Sequence, residues 1–447
     1  MREGSLEAPI RHPIDWQNED FYNRESLDKE LRHAFDICHG CRRCFNLCDS
    51  FPTLFDLVDD SETGELDSVS SAEFGQVIDG CTLCDMCFLT KCPYVPPHEF
   101  NLDFPHLMLR ARAVEAREKG IPFAQKQLTK TDRNGKLAGK IAPLANWASK
   151  CGNHLTRPAL EKVAGVHRDA ELPEFHSKTL VDQAEKHSVE INKAAPAFGR
   201  KVVIYATCFS NYNNPDIGMA ARAVLAHNGV EVETVYPECC GMPQLEHGDL
   251  GDVAGKAERV ASVMGEWIDR GYDVIALVPS CALMLKFEWP LISPDNTAVK
   301  KLAEATFDIT EYIVDIAKKN GMADGLAPLE GGVTAHIACH ARAQNMGQKA
   351  TEMLKLVPDT QLNVIERCSG HGGSWGIMKD NYETAHKVGK PAARKIAENV
   401  TRFVVSECPL ARDHLVSGAK RLDGDLSAVE TLQHPIQLIA RSYGLET

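Results

Sequence analysis

From Lys201 onward, short apolar runs alternate with helix-length stretches of mixed polar and apolar residues. The runs are KVVIYAT at 201–207, VEVETVY at 230–236, DVIALVP at 273–279, VTAHIA at 333–338, LNVIER at 362–367 and FVVSE at 403–407. Runs rich in β-branched residues, separated by helical segments, predict α/β units with largely parallel sheets. Each run leads directly into cysteine. The first three feed Cys208, the pair Cys239–Cys240 before Gly241, and Cys281; the last three feed Cys339, Cys368 and Cys408. Cys339, Cys368 and Cys408 follow Cys208, Cys239 and Cys281 by 131, 129 and 127 residues, which marks an internal duplication. Strand carboxyl ends in parallel α/β sheets face the crevice where ligands bind, so each half is expected to gather its thiols at one edge.

The N-terminal half has a different pattern. DFPHLMLRARAVEAREKG places Leu107, Ala111 and Val114 on one helical face and ends at Gly120 and Pro122. A basic amphipathic helix of this kind either packs on its own domain or lies on an anionic membrane surface or partner; packing is the commoner outcome. Residues 106–150 carry ten basic residues against three acidic ones, and 125–150 read as a connector or an arm over a neighbouring domain. Between Asp49 and Asp79 the balance reverses, with nine acidic residues and no Lys or Arg, read as a solvated connector. Composition is that of globular protein, 44% hydrophobic and 25% charged, and the net charge of −13 argues against broad nucleic-acid binding.

Eight cysteines fill two N-terminal blocks. CHGCRRCFNLC places Cys38, Cys41, Cys44 and Cys48; CTLCDMCFLTKCP places Cys81, Cys84, Cys87 and Cys92 before Pro93. This is close to the bacterial ferredoxin run, in which three spaced thiolates hold one cubane and a distal fourth reaches the other. Cross-ligation on that pattern assigns Cys38, Cys41, Cys44 and Cys92 to one [4Fe–4S] cluster and Cys81, Cys84, Cys87 and Cys48 to a second. Zinc knuckles use paired C-x2-C units, which the triplets do not match. MREGSLEAPIRHPIDW has no basic n-region followed by an apolar stretch, so no signal peptide is expected and the reducing cytosol is the expected setting. DVIALVPSCALMLKF, the best membrane-span candidate, is broken by polar residues. Cys151, outside every block, is read as an unligated thiol.

CFSNYNNP at 208–215, ECCGMPQLEHGD at 238–249, PSCALMLKFEWP at 279–290, HIACHARAQNMG at 336–347, RCSGHGGSWGIMKDNY at 367–382 and HPIQLIA at 434–440 carry a resemblance to a known family. The chain resembles the cysteine-rich CCG-domain iron–sulfur oxidoreductases, the family of the heterodisulfide reductase B subunits and the anaerobic glycerol-3-phosphate dehydrogenase C subunits. That resemblance implies an electron conduit: an iron–sulfur subunit relaying electrons between a flavoprotein dehydrogenase and a quinone or disulfide acceptor. It implies a ferredoxin-like 2×[4Fe–4S] domain at 1–105, mostly helical, a basic helical connector at 106–198, and α/β CCG repeats at 199–330 and 331–447. Cytoplasmic placement, with peripheral contact on the membrane's cytoplasmic face as an option, follows from the same reading.

The sequence departs from the full five-cysteine motif. Met284 stands where the first repeat's last Cys would be, leaving Cys208, Cys239, Cys240 and Cys281; Ser369 and Ala411 replace two cysteines of the second, leaving Cys339, Cys368 and Cys408. These seven are metal-ligand candidates for one or two further iron–sulfur clusters, non-cubane forms included, or for zinc. His340 and His371 lie near two of them in sequence, although a hydrogen-bonded structural role is commoner for such residues. Three readings stay open: electron-transfer subunit, catalytic disulfide-type reductase, and a zinc-bound or metal-free scaffold docking a ferredoxin module to redox or oxidative-stress partners. The absence of a G-x-G-x-x-G fingerprint agrees with the first.

Overall fold

The computed structural model describes residues 7–445. Its strands are β1 (Lys201–Tyr205), β2 (Glu231–Val235), β3 (Asp273–Ala276), β4 (Thr306–Asp308), β5 (Val333–His336), β6 (Leu362–Ile365) and β7 (Phe403–Ser406). They form two parallel sheets, ordered β2-β1-β3-β4 and β6-β5-β7. In each, the first strand lies centrally with the next two on opposite sides, so the chain winds away from it in both directions and leaves a crevice beyond the strand ends. Register is fixed by pairs such as Val202↔Val232, Val203↔Val274 and Val333↔Phe403.

Val202, Val203, Ile204 and Tyr205 are all fully buried, which is why β1 reads as an unbroken apolar run. Alternate side chains enter different cores. Val202 and Ile204 join Val333, Ala335 and Val405 in a core shared by the two sheets. Val203 and Tyr205 join Leu31, Phe35, Leu54 and Met108, so the first sheet and the N-terminal helices have one continuous interior.

Six strands lie where the apolar runs predict them; β4 has no such run. Its three residues, Thr-Phe-Asp, form through edge pairing with β3 and end in Asp308, the N-cap of the helix Ile309–Lys319. The duplication continues there. His434 caps Pro435–Ser442 in the same way, Nδ1 accepting from the Ile436 amide at 3.1 Å while Gln437 reaches back. Residues 430–433 bond β7 twice, from the Glu430 amide to the Arg402 carbonyl and from the Ser406 amide to the Gln433 carbonyl, without forming a strand.

The acidic segment is more than a solvated connector. It folds into the helices Ser50–Asp59 and Phe74–Asp79, whose Phe51, Leu54, Phe55, Val58, Phe74 and Val77 are buried. Its acids occupy the outer face of an apolar stripe that charge counting conceals. The basic helix Phe104–Lys119 closes at Gly120, as predicted, and the structure adds Asp103 as its N-cap. Its arginines are used internally: Arg110 donates to the Phe21 carbonyl and pairs with Glu30, Arg117 pairs with Glu19, and Arg112 donates to the carbonyls of Ile78, Cys81 and Glu246. No helix among the described residues is long and apolar enough to cross a membrane.

Arg11 ties three segments together through Asp85 at 2.8 Å, Asp103 at 2.8 Å and Glu288 at 3.1 Å, with its guanidinium 4.5 Å from the centre of the Phe88 ring. Removing it strands three buried carboxylates together. Arg11→Met is therefore expected to cost about 3–5 kcal/mol in denaturant unfolding.

Burial holds His434 down to about 3 from its ordinary 6.5, and His336 down to about 4. The native state thus binds these protons less readily than the unfolded chain, and stability falls as pH drops below 6.5. Acid unfolding followed by circular dichroism is expected to move to lower pH in His434→Asn, which keeps a cap acceptor without the titrating ring. His434→Leu is expected to lose about 1 kcal/mol at neutral pH.

Candidate functional site

The carboxyl ends of β1, β2 and β3 bring four thiols together. Cys208 opens a short helix capped by Thr207, Cys239 and Cys240 precede the left-handed turn at Gly241 (φ 83°), and Cys281 lies in the helix Pro279–Leu283. The Sγ atoms of Cys208 and Cys239 are 3.8 Å apart, and those of Cys240 and Cys281 are 3.3 Å apart. Cys239, Cys240 and Cys281 are buried, as is Met284 in the fifth position. Mutual hydrogen bonding and burial push Cys208 and Cys240 up, while the bonds Cys239 receives from both favour its thiolate.

The shell around these thiols comes partly from an unexpected source. Asp132, in the helix Thr131–Lys140 of the basic stretch, accepts from the Cys239 amide at 3.1 Å and from the Tyr236 hydroxyl; Lys256 stands 3.8 Å away. Gly135 lies so close to the Tyr212 ring that a Cβ would clash at 2.4 Å. This part of the chain lies as an arm against the first repeat. The available sequence signal was Asp132 itself, the lone acid between Lys119 and Lys150. Trp289 closes another side, its Nε1 donating to the Cys240 carbonyl at 3.1 Å.

In the second repeat, Cys339 starts the helix Cys339–Ala343, Cys408 caps Pro409–Lys420, and the Cys368 sulfur accepts from the Gly370 amide at 3.3 Å. Their neighbourhood includes the N-terminal cysteines. After burial, the main influence raising Cys84, to about 12, is Cys368; Cys339 is raised by burial and then by Cys84, Cys368 and Cys408. Burial alone dominates at Cys408, lifting it to about 11.

The N-terminal cysteines form two groups. Cys38, Cys41, Cys44 and Cys92 wall one small cavity with Phe51, Tyr94 and Leu102. Cys48 is raised by burial and then by Cys81 and Cys84; Cys87 by burial and then by Cys84, Cys81 and Cys48. Arg42, Leu83 and Asp85 adopt positive φ (51°, 49° and 62°) beside these cysteines, a strained conformation that the surrounding packing must hold. Among the described residues no three Cys, His, Asp or Glu converge at the spacing of a metal-ion site. The donor chemistry nevertheless suits a larger soft cationic group, since all-thiol sets walled from water gain most when their mutual repulsion is neutralised.

Of the two histidines singled out by sequence, His340 has hydrogen-bond partners on both ring nitrogens, whereas the buried Nε2 of His371 has none among the described residues. His340 Nδ1 is 2.8 Å from the Ser280 hydroxyl and Nε2 is 3.3 Å from the Leu83 carbonyl, so the ring straps together the loops of Cys281, Cys339 and Cys84. The His371 ring lies 6.1 Å from that of His414, and burial keeps it neutral, down to about 3. The glycine-rich loop is a close-packing device. A Cβ on Gly372 (φ 55°) would lie 2.6 Å from Thr82, and one on Gly373 (φ 62°) 2.2 Å from the Glu246 carboxylate. Cys151 is exposed, apart from all the groups.

The cysteine-rich domain family, CCG, matches residues 202–286 and 333–411, the two segments that hold the parallel sheets and their thiol loops. The C subunit of anaerobic glycerol-3-phosphate dehydrogenase from Escherichia coli is 26% identical over 319 residues, 70% of this chain and 76% of that one. The B subunit of the CoM/CoB fumarate reductase from Methanothermobacter marburgensis is 23% identical over 411 residues, 88% of this chain and 71% of its own. Lactate utilization protein A of Bacillus pumilus is 32% identical over 188 residues, 40% of this chain and 75% of its own. With its thiols at matching strand ends of two sheets, the chain belongs to the family of cysteine-rich CCG-domain proteins, and it carries the domain twice.

Proposed function

We propose that this chain is the iron–sulfur electron-transfer subunit of a multi-subunit dehydrogenase or reductase, relaying electrons between a flavoprotein partner and a quinone or other redox acceptor. The observation that carries the reading is the single electrostatic neighbourhood joining Cys48, Cys81 and Cys84 to Cys339 and Cys368. Residues far apart in sequence bring their thiols near enough to oppose one another's ionisation, which supports a series of neighbouring electron sites. The names of the relatives, which include components of a dehydrogenase and of a reductase, support the same role.

On this reading the N-terminal 105 residues are a ferredoxin-like domain. Cys38, Cys41, Cys44 and Cys92 hold one [4Fe–4S] cluster, and Cys48, Cys81, Cys84 and Cys87 a second. Cys208, Cys239, Cys240 and Cys281 hold a third group, and Cys339, Cys368 and Cys408 a fourth. Such groups supply reversible one-electron transfer at potentials set by hydrogen bonds and exposure. The protein's part is to exclude water, to aim amides such as that of Gly370 at sulfur, and to fix spacing through His340 and the Gly372–Gly373 turn. Buried Met284, Ser369 and Ala411 fill the places of missing cysteines, which favours electron relay over disulfide cleavage at a five-thiolate site.

Anaerobic purification with iron, sulfide and zinc analysis and EPR tests this. Two cubanes account for about eight irons per chain, and loading of the two repeats is expected to raise that figure. Cys87→Ser is expected to remove about four irons, and Cys339→Ser, Cys368→Ser and Cys408→Ser each to alter the EPR spectrum. Unchanged iron and spectra in all three would remove the second-repeat site, while zinc in place of iron at Cys208–Cys281 would make that repeat a scaffold. His340→Leu is expected to retain the iron of the parent protein while losing about 1–3 kcal/mol of stability, because the strap's hydrogen bonds go and the Leu83 carbonyl is left unpaired.

A further inference from the structure

A cavity of 740 Å³ opens where the Cys81–Thr82 loop, the helix Phe104–Lys119, Glu246 and the glycine-rich turn of the second repeat meet. Cys81, Arg112, Glu246 and Trp375 are among its walls. Glu246 Oε2 accepts from the Ser374 hydroxyl at 3.4 Å, and the carboxylate occupies the space that any side chain at residue 373 would need. The Trp375 indole N–H is buried and has no acceptor among the described residues, a deficit that a ligand oxygen would repair.

The cavity wall carries one exposed apolar residue, Phe123, and the cations Arg112 and Lys119. Phe123 is 79% exposed, and the chain that follows it in sequence, through the two helices Thr131–Lys140 and Ala142–Ser149, exposes Leu137, Ile141, Leu144 and Trp147 among Lys126, Lys130, Lys136 and Lys140. An apolar stripe set among lysines, on a protein of net charge −13, suits a lipid-soluble molecule arriving from an anionic interface.

We infer that this cavity is the site where a quinone is reduced, with Glu246 as the group that delivers a proton to it and Trp375 as a carbonyl donor. The inference rests on the electron-relay reading above. In the balanced step, the quinone takes two electrons and two protons and leaves as quinol, each C=O becoming C–OH. The electrons originate in the reduced flavin of the donor partner, which releases two protons on oxidation, and they reach the cavity one at a time from the Cys81 side. Glu246 gives the first proton and is reprotonated by water through the cavity mouth; water supplies the second.

Burial raises the Glu246 carboxyl to about 7, against the pull of Arg112 and of Ser374, with the Cys239 thiol adding to the rise. Asp79, Glu115, Lys119 and Asp380 on the facing walls and His247 on its own segment complete the charged lining of the cavity. A carboxyl in that range is matched to proton transfer at neutral pH.

Menadione is the probe, applied to the anaerobically purified full-length protein. Saturable quenching of tryptophan fluorescence is expected, largely lost in Trp375→Phe, which removes one of five tryptophans. It is expected to weaken severalfold in Ala116→Phe, which adds bulk to the cavity wall. Glu246→Gln is expected to keep menadione binding but to slow its reduction by about a hundredfold relative to ferricyanide, a one-electron acceptor needing no proton. In the parent protein that ratio is expected to fall as pH rises through about 7, and to lose this dependence in Glu246→Gln. Undiminished quenching in both Trp375→Phe and Ala116→Phe, or a parental pH profile in Glu246→Gln, overturns the inference. Ferricyanide reduction without menadione binding overturns the cavity assignment and leaves the relay intact. Absence of iron and of ferricyanide reduction overturns the relay, whereas quenching still reports on the cavity.

Discussion

Ionised thiols buried beside one another repel, and burial itself opposes their ionisation, so a protein that collects many of them in its interior needs a compensating positive group or must keep them protonated. The architecture follows from that constraint. Parallel strands are the economical way to assemble such a group, because each delivers its carboxyl end to the same edge and a loop of a few residues then carries the thiol. Of the N-terminal thiols, Cys38 and Cys41 end the helix Arg24–Cys41, Cys87 starts the helical turn Cys87–Lys91, and Arg42, Leu83 and Asp85 turn the chain beside them at positive φ. Their dense contacts with the repeats offset that strain.

The junction between these parts is built from small, specific contacts. Arg112 collects three carbonyls from two segments, His340 uses both ring nitrogens, Arg11 draws together three carboxylates, and Gly372 and Gly373 let one backbone approach Thr82 and Glu246. Each is a buried polar or steric arrangement that tolerates few substitutions. Together they hold the N-terminal cysteines against the second repeat and leave the large cavity where the three parts fail to close.

The duplication shows how one plan diverges. Both repeats keep a central first strand, flanking second and third strands, and a capping box on a following helix, Asp308 in one and His434 in the other. The fourth strand survives only in the first repeat, the second retaining two backbone hydrogen bonds in its place. The thiols diverge too: four in two close pairs in the first, three in the second, of which Cys339 and Cys368 neighbour Cys84.

The six main strands, the duplication, the cysteine groupings and the bounds of the helix Phe104–Lys119 were legible in sequence, because apolar runs, fixed spacings and caps are local signals. The edge strand β4 was not, since its three residues depend on a neighbour for their conformation. The acidic segment misled because charge counting hid the stripe of Phe51, Leu54, Phe55 and Val58. Tertiary structure alone decided that Asp132 guards Cys239, that His340 is a strap, that Cys84 faces Cys368, and that Glu246 and Trp375 share a cavity with Cys81. Those relations join residues up to about 290 positions apart, and only packing, which no local pattern encodes, brings such distant groups within reach of one another.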